Sequence, residues 1–116
     1  METKFELAHI GINSANAEEA EKTAKLLAAL FGLDVRANSG KAIFAGTYFE
    51  CMCGPGAGAN GHIGMAVEDV AAAVEELKAR GVAFREDSAG YDSEGKLRII
   101  YLADEIAGFA VHLVRK

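Results

Sequence analysis

An α+β fold built from two tandem strand–helix–three-strand units is what this 116-residue sequence predicts. Two observations carry that reading. The tetrapeptide His9-Ile10-Gly11-Ile12 returns as His62-Ile63-Gly64-Met65. Each copy is followed by apolar residues at helical spacing, a glycine stop, and three short strand-like runs. A third supports it: one glycine-rich stretch, 54–61, lies between the copies.

The first unit opens with Phe5 to Ile12, whose alternation turns Ile10 and Ile12 one way and Leu7, His9 and Gly11 the other. Asn16 is placed to cap a helix, with Glu19 three residues on. Ala20, Ala24, Leu27 and Phe31 then recur at helical intervals, and Gly32 supplies the left-handed stop. Strands are expected at Leu33 to Ala37, Lys41 to Ala45 and Thr47 to Cys53, with turns at Asn38-Ser39-Gly40 and Gly46. Gly54 to Gly61 lacks the Lys-Ser/Thr ending of a phosphate loop and reads as a flexible connector.

The second unit repeats the plan. His62 to Val67 sets Ile63 and Met65 against His62 and Gly64, and Asp69 caps a helix with Val70, Val74 and Leu77 facing inward up to Gly81. Strands are expected at Val82 to Glu86, Lys96 to Ala103 and Gly108 to Arg115, with Asp87 to Gly95 a polar, mobile loop. The chain thus divides into module 1 (4–53), linker (54–61) and module 2 (62–116) within a single domain, 1–116. Each half-sheet buries its apolar face under a helix; the other face is either covered by the second half-sheet or left as a concave trough, and both first-strand histidines look that way.

A net charge of −5 with scattered basic residues argues against nucleic acid and membrane surfaces. Met1 to Glu6 holds no apolar signal core, so the cytoplasm is the expected location. Cys51 and Cys53 alternate onto one face and read as packed free thiols rather than a disulfide or a four-ligand zinc site. The three histidines are different. Two open the repeats and His112 lies in the last strand, so a metal site is the leading reading, against the commoner role of a lone strand histidine as a packed residue.

With these residues in view the chain resembles the vicinal oxygen chelate superfamily, which includes glyoxalase, bleomycin-resistance and extradiol dioxygenase proteins. The resemblance rests on the paired modules, on His-Ile-Gly-Ile and His-Ile-Gly-Met-Ala-Val-Glu-Asp-Val, and on the turn Asp104 to Gly108 before Phe109-Ala110-Val111-His112-Leu113. The tail and the Asn60-Gly61-His62-Ile63 junction are similar to a small branch that carries the name of 2-keto-3-deoxy-6-phosphogluconate aldolase. That name sits badly here, because such an aldolase is a barrel of about twice this length.

The resemblance implies an open, curved mixed sheet and four metal ligands, His9 and His62 from first strands and Glu50 and His112 from last strands. His112 departs from the glutamate common there, leaving Glu50 as the single carboxylate, with Glu50 or a metal-bound hydroxide the candidate base. Three imidazoles and a carboxylate suit nickel, zinc, iron or cobalt. Arg36 and Arg85, each four residues after a helix-ending glycine, are candidates to grip a substrate anion, although such residues are more often simply solvated. Tyr48, Met52, Tyr101 and Phe44 are candidates to line a pocket, with core packing the expected role of at least two of them.

The expected activity is a glyoxalase-like lyase or isomerase acting on a small 2-oxo or 2-hydroxy-carbonyl compound through a chelated enediolate. The alternatives are a non-catalytic binding or resistance-type module and an iron-dependent ring-cleaving dioxygenase, the latter if His112 stands outside the ligand set. A homodimer is expected, because eight short strands and two helices leave the trough poorly covered.

Overall fold

The computed structural model describes residues 3–38 and 40–116, so Met1 and Glu2 of the N-terminal segment and Ser39 of the first turn lie outside it. The order is β1 (Glu6–Ile12), α1 (Ala17–Phe31), β2 (Val35–Asn38), β3 (Ala42–Ala45), β4 (Phe49–Met52), β5 (Gly61–Val67), α2 (Val70–Ala79), β6 (Phe84–Tyr91), β7 (Leu97–Leu102) and β8 (Phe109–Arg115). All eight strands form one sheet in the order β2-β3-β4-β1-β5-β8-β7-β6. Each module pairs its first strand in parallel with its last, β1 with β4 and β5 with β8, and the modules join where β1 meets β5 antiparallel. It is a mixed open sheet, not a barrel of alternating strands and helices.

Both helices start where the capping residues place them. Asn16 Oδ1 accepts the Glu19 amide at 2.9 Å, and Asp69 Oδ1 accepts the Ala72 amide at 3.0 Å. Gly32 ends α1 in the left-handed region, at φ 68°. Ala20 and Ala24 are fully buried against Ala45 and Cys51, small side chains that let α1 lie close on its half-sheet. Under α2, Val67, Val70, Ala73, Val74, Phe84, Ile100 and Leu113 make the larger core. Both helices therefore cover the same face, leaving the histidine face free of helices.

Four expectations are corrected. Phe31 does not face inward; it is 65% exposed, because the last turn of α1 overhangs the exposed edge strand β2. Leu7 does not share the face of His9. Ala8 is an extra residue in the β1–β5 ladder, so Leu7 pairs with Met65 while His9 pairs with Gly64, and the bulge reverses the alternation between them.

The segment from Asp87 onward is not a mobile loop as far as Gly95. β6 continues to Tyr91, and only a short turn remains, closed by Asp92 Oδ1 accepting the amides of Glu94 (2.8 Å) and Lys96 (2.9 Å). The glycine-rich connector is also tied down. Asn13 Nδ2 donates to Gly58 O at 2.9 Å, and Asn60 exchanges backbone bonds with Asn13 and Gly108. Its glycines serve close backbone approach: a Cβ on Gly61, at φ 150°, would lie 1.9 Å from the Gly11 carbonyl oxygen.

Candidate metal centre

Strand register builds the site in two rows across the trough. In one, Arg36 pairs with Phe44, Phe44 with Glu50, Glu50 with Gly11, and Gly11 with His62. In the other, Arg85 pairs with Tyr101, Tyr101 with His112, His112 with Gly64, and Gly64 with His9. The rows correspond position by position, so the sequence repeat becomes a local two-fold arrangement. Each row ends on a histidine lent by the other module, and each has a glycine beside it.

Those glycines are where the rings sit. A Cβ on Gly11 would fall 2.0 Å from His62 Cε1, and one on Gly64 would fall 2.7 Å from His9 Cε1 and 2.9 Å from His112 Cε1. The three imidazoles consequently crowd together, with centroids 5.1 Å apart for His9 with His62 and with His112, and 5.6 Å for His62 with His112. His112 Nε2 lies 3.2 Å from His9 Nε2. Glu50 Oε1 lies 3.0 Å from His62 Nε2 and 3.7 Å from His9 Nε2. All three histidines offer ligand nitrogens within 4.8 Å of one another.

This donor set fits a divalent transition ion. Ligands bound at about 2.0–2.1 Å sit roughly 3–3.5 Å apart, close to the 3.0, 3.2 and 3.7 Å separations here, while the three histidine nitrogens as a set lie within 4.8 Å and would draw in around an ion. Charge states agree as well. Burial, then its histidine neighbours, lowers the His112 pKa to about 4. Burial likewise lowers His9, against the opposing pull of Glu50. The hydrogen bond from His62 holds Glu50 below the usual carboxylate range. At neutral pH, His9 and His112 are thus neutral and Glu50 ionised, the forms that bind metal.

The buried Nδ1 atoms of His62 and His112 have no partner among the described residues. Metal-ligating imidazoles usually anchor that nitrogen; here packing onto Gly11 and Gly64 sets the rings instead.

The four expected ligand residues are therefore together. Tyr101 joins them, its ring 4.9 Å from His112. Arg85 follows Tyr101 on the same face, and Arg36 lies over the Phe44 ring at 5.1 Å. Met52 keeps to the Glu50 face by alternation, at the far end of β4, while Tyr48 is 51% exposed just ahead of that strand. Cys51 lies on the opposite face, buried against α1. A concavity of about 590 Å³ beside Asp69, Tyr91, Lys96 and Arg115 is lined by none of the site residues; His62 and His112 are buried and His9 is the more accessible of the three. Sequence reasoning missed Ser88, whose hydroxyl bridges Arg85 and Tyr101, since nothing in a polar stretch marks one serine.

Solved structures resemble the chain over nearly all its length. A hypothetical protein from Bacillus halodurans C-125 matches with a TM-score of 0.63 at 17% identity, covering 97% of this chain and 95% of that one. A variant of methylmalonyl-CoA epimerase from Streptomyces coelicolor, in complex with 2-nitronate-propionyl-CoA, matches at 0.60 and 19%, covering 95% and 96%. The epimerase from Mycobacterium tuberculosis matches at 0.58 and 15%, covering 94% and 86%. The fold is the vicinal oxygen chelate fold. At these identities the likeness concerns the fold alone. No protein-family model and no curated protein matches the chain.

Proposed function

We propose that this protein is a divalent-metal-dependent isomerase or lyase acting on a small 2-oxo or 2-hydroxy-carbonyl compound. The observation that carries the proposal is the crowding of His9, His62 and His112 on one face of the sheet, with Glu50 against His62 and His9. Nickel, zinc, iron or cobalt suits the set. When bound, such an ion supplies Lewis acidity to two neighbouring oxygens of the substrate.

The protein's own part is proton handling. Glu50 is the one carboxylate in the cluster, ionised and half-buried, and it takes the proton from the carbon next to the carbonyl. In the metal-free protein His62 Nε2 lies 3.0 Å from Glu50 Oε1 and holds it in place; with an ion bound, that nitrogen would turn to the metal. His112 serves as a neutral donor rather than a second carboxylate base. The epimerase neighbours support the isomerase side, since an epimerase of methylmalonyl-CoA acts at a carbon next to a carbonyl. The ring-cleaving alternative needed His112 outside the cluster, and its Nε2 lies 3.2 Å from that of His9.

Metal-loaded protein incubated in heavy water with a panel of 2-oxo acids, sugar acids and hemithioacetals should incorporate deuterium beside the carbonyl, followed by NMR. Tight binding of panel members without exchange would replace this reading with a binding module. A homodimer is part of the proposal, supported by the open trough and by Leu26, Leu30 and Phe31, all more than half exposed along α1. A single 12.2 kDa species in sedimentation at micromolar concentration would rule it out.

A further inference from the structure

Phe84 packs into the core beneath α2, so alternation turns Arg85 onto the trough face. There it pairs with Tyr101, the neighbour of His112. Immediately afterwards the β6–β7 ladder loses register, between Arg85 and Gly90. Ser88 mends the break: its hydroxyl donates to the Arg85 carbonyl at 2.6 Å and accepts the Tyr101 amide at 2.9 Å. An irregularity of this kind beside a candidate site re-aims side chains, and here it locks together the backbones of the two residues next in line from His112.

The side chains also share one patch. Arg85 and Tyr101 stand directly opposite each other in the β6–β7 ladder, and the Tyr101 ring lies 4.9 Å from that of His112. The ion pair from Arg85 to Asp87 is 3.7 Å long between exposed groups and holds it weakly. The corresponding place in the other row differs: Arg36 is stacked on Phe44, which has no hydroxyl. The trough is therefore two-fold in backbone and one-sided in chemistry.

We propose that Arg85 and Tyr101, braced by Ser88, form an anion subsite beside the metal centre. The substrate then carries a carboxylate or phosphate in addition to its chelating oxygens. This rests on the metal reading above. β6 and β8 are two strand steps apart, roughly 9.6 Å, so the anionic group lies several bonds from the chelating pair. That describes a 2-oxo or 2-hydroxy diacid, or the corresponding phospho-acid.

The test uses metal-loaded protein and calorimetric binding of matched probes: 2-oxopentanoate against 2-oxoglutarate, 2-oxohexanoate against 2-oxoadipate, and 2-oxo-4-phosphonobutanoate as the phosphate arm. At least one dianion should bind ten-fold or more tightly than its monoanionic partner. Arg85→Gln should bring that ratio to near one while leaving the monoacid affinity and the metal content within two-fold. Arg36→Gln should leave the ratio intact, and Tyr101→Phe should reduce it several-fold. The tighter of the carboxylate and phosphonate probes names the anion. Equal binding of monoanions and dianions by the metal-loaded wild type, or a preference that survives Arg85→Gln, overturns the subsite while the metal reading stands. Failure to take up nickel, zinc, iron or cobalt overturns both.

Discussion

Replacing Gly11 with alanine should destroy metal binding without touching any ligand. The new Cβ would sit 2.0 Å from His62 Cε1, 2.2 Å from Nδ1 and 2.7 Å from Nε2, where ordinary contact begins near 3.4 Å. The ring must retreat by about 1.4 Å or more, far beyond the tolerance of about 0.2 Å for a ligand distance. Its retreat also breaks the 3.0 Å contact with Glu50.

Disturbing a supporting residue typically costs about 10–100-fold in metal affinity, and displacing a ligand outright should cost at least the upper figure. The metal-free protein should lose only about 1–3 kcal/mol, the usual penalty of overpacking. Competitive chelator titration and urea unfolding with and without metal measure the two effects separately. Gly54→Ala is the control, since nothing lies within 4 Å of its Cβ. If Gly11→Ala binds metal within three-fold of wild type, the claim that glycine makes the room for His62 is wrong.

Glu50→Gln should abolish deuterium exchange while some metal stays bound; exchange above one-tenth of the wild-type rate would assign the base elsewhere. Stability of the metal-free protein should be full above about pH 6.5 and fall as pH drops towards 4. The reason is that His112, at about 4 when folded, takes up its proton only on unfolding across that range, and His9 acts in the same direction. The His112 contribution is at most on the order of 3 kcal/mol, and a flat urea profile from pH 7 to 4.5 would contradict it. Gly61→Ala should cost about 3 kcal/mol or more, because its Cβ strikes the Gly11 carbonyl at the junction of β1 and β5; a melting temperature close to wild type would show that the junction gives way. Asp69→Ala should cost about 1 kcal/mol through the lost cap on the Ala72 amide, and no change in the urea midpoint would count against that role.

What the sequence by itself determined was local or repeated. Asn16, Asp69 and Gly32 act within a turn of the residues they cap, so their roles are legible without knowing what packs around them. The doubled His-Ile-Gly motif announced two equivalent strands, and alternation put both histidines on the face away from the helices. Tertiary structure decided everything that depends on register between distant strands.

Alternation could not foresee the bulge at Ala8 that turns Leu7 away from His9, since one extra residue exchanges the faces of all that precede it. Nor could it show that Gly11 belongs beside His62 and Gly64 beside His9 and His112, because those contacts cross between modules through the β1–β5 pairing and through β8. The connector and the 87–91 segment looked loose for a related reason. Glycine and polar residues are what loops contain, but Asn13, Asn60 and Ser88 make hydrogen bonds with backbone groups of distant segments, which only folding brings within reach. A residue's type is written in the chain; its partner across the sheet is set by a ladder of many weak bonds that form together.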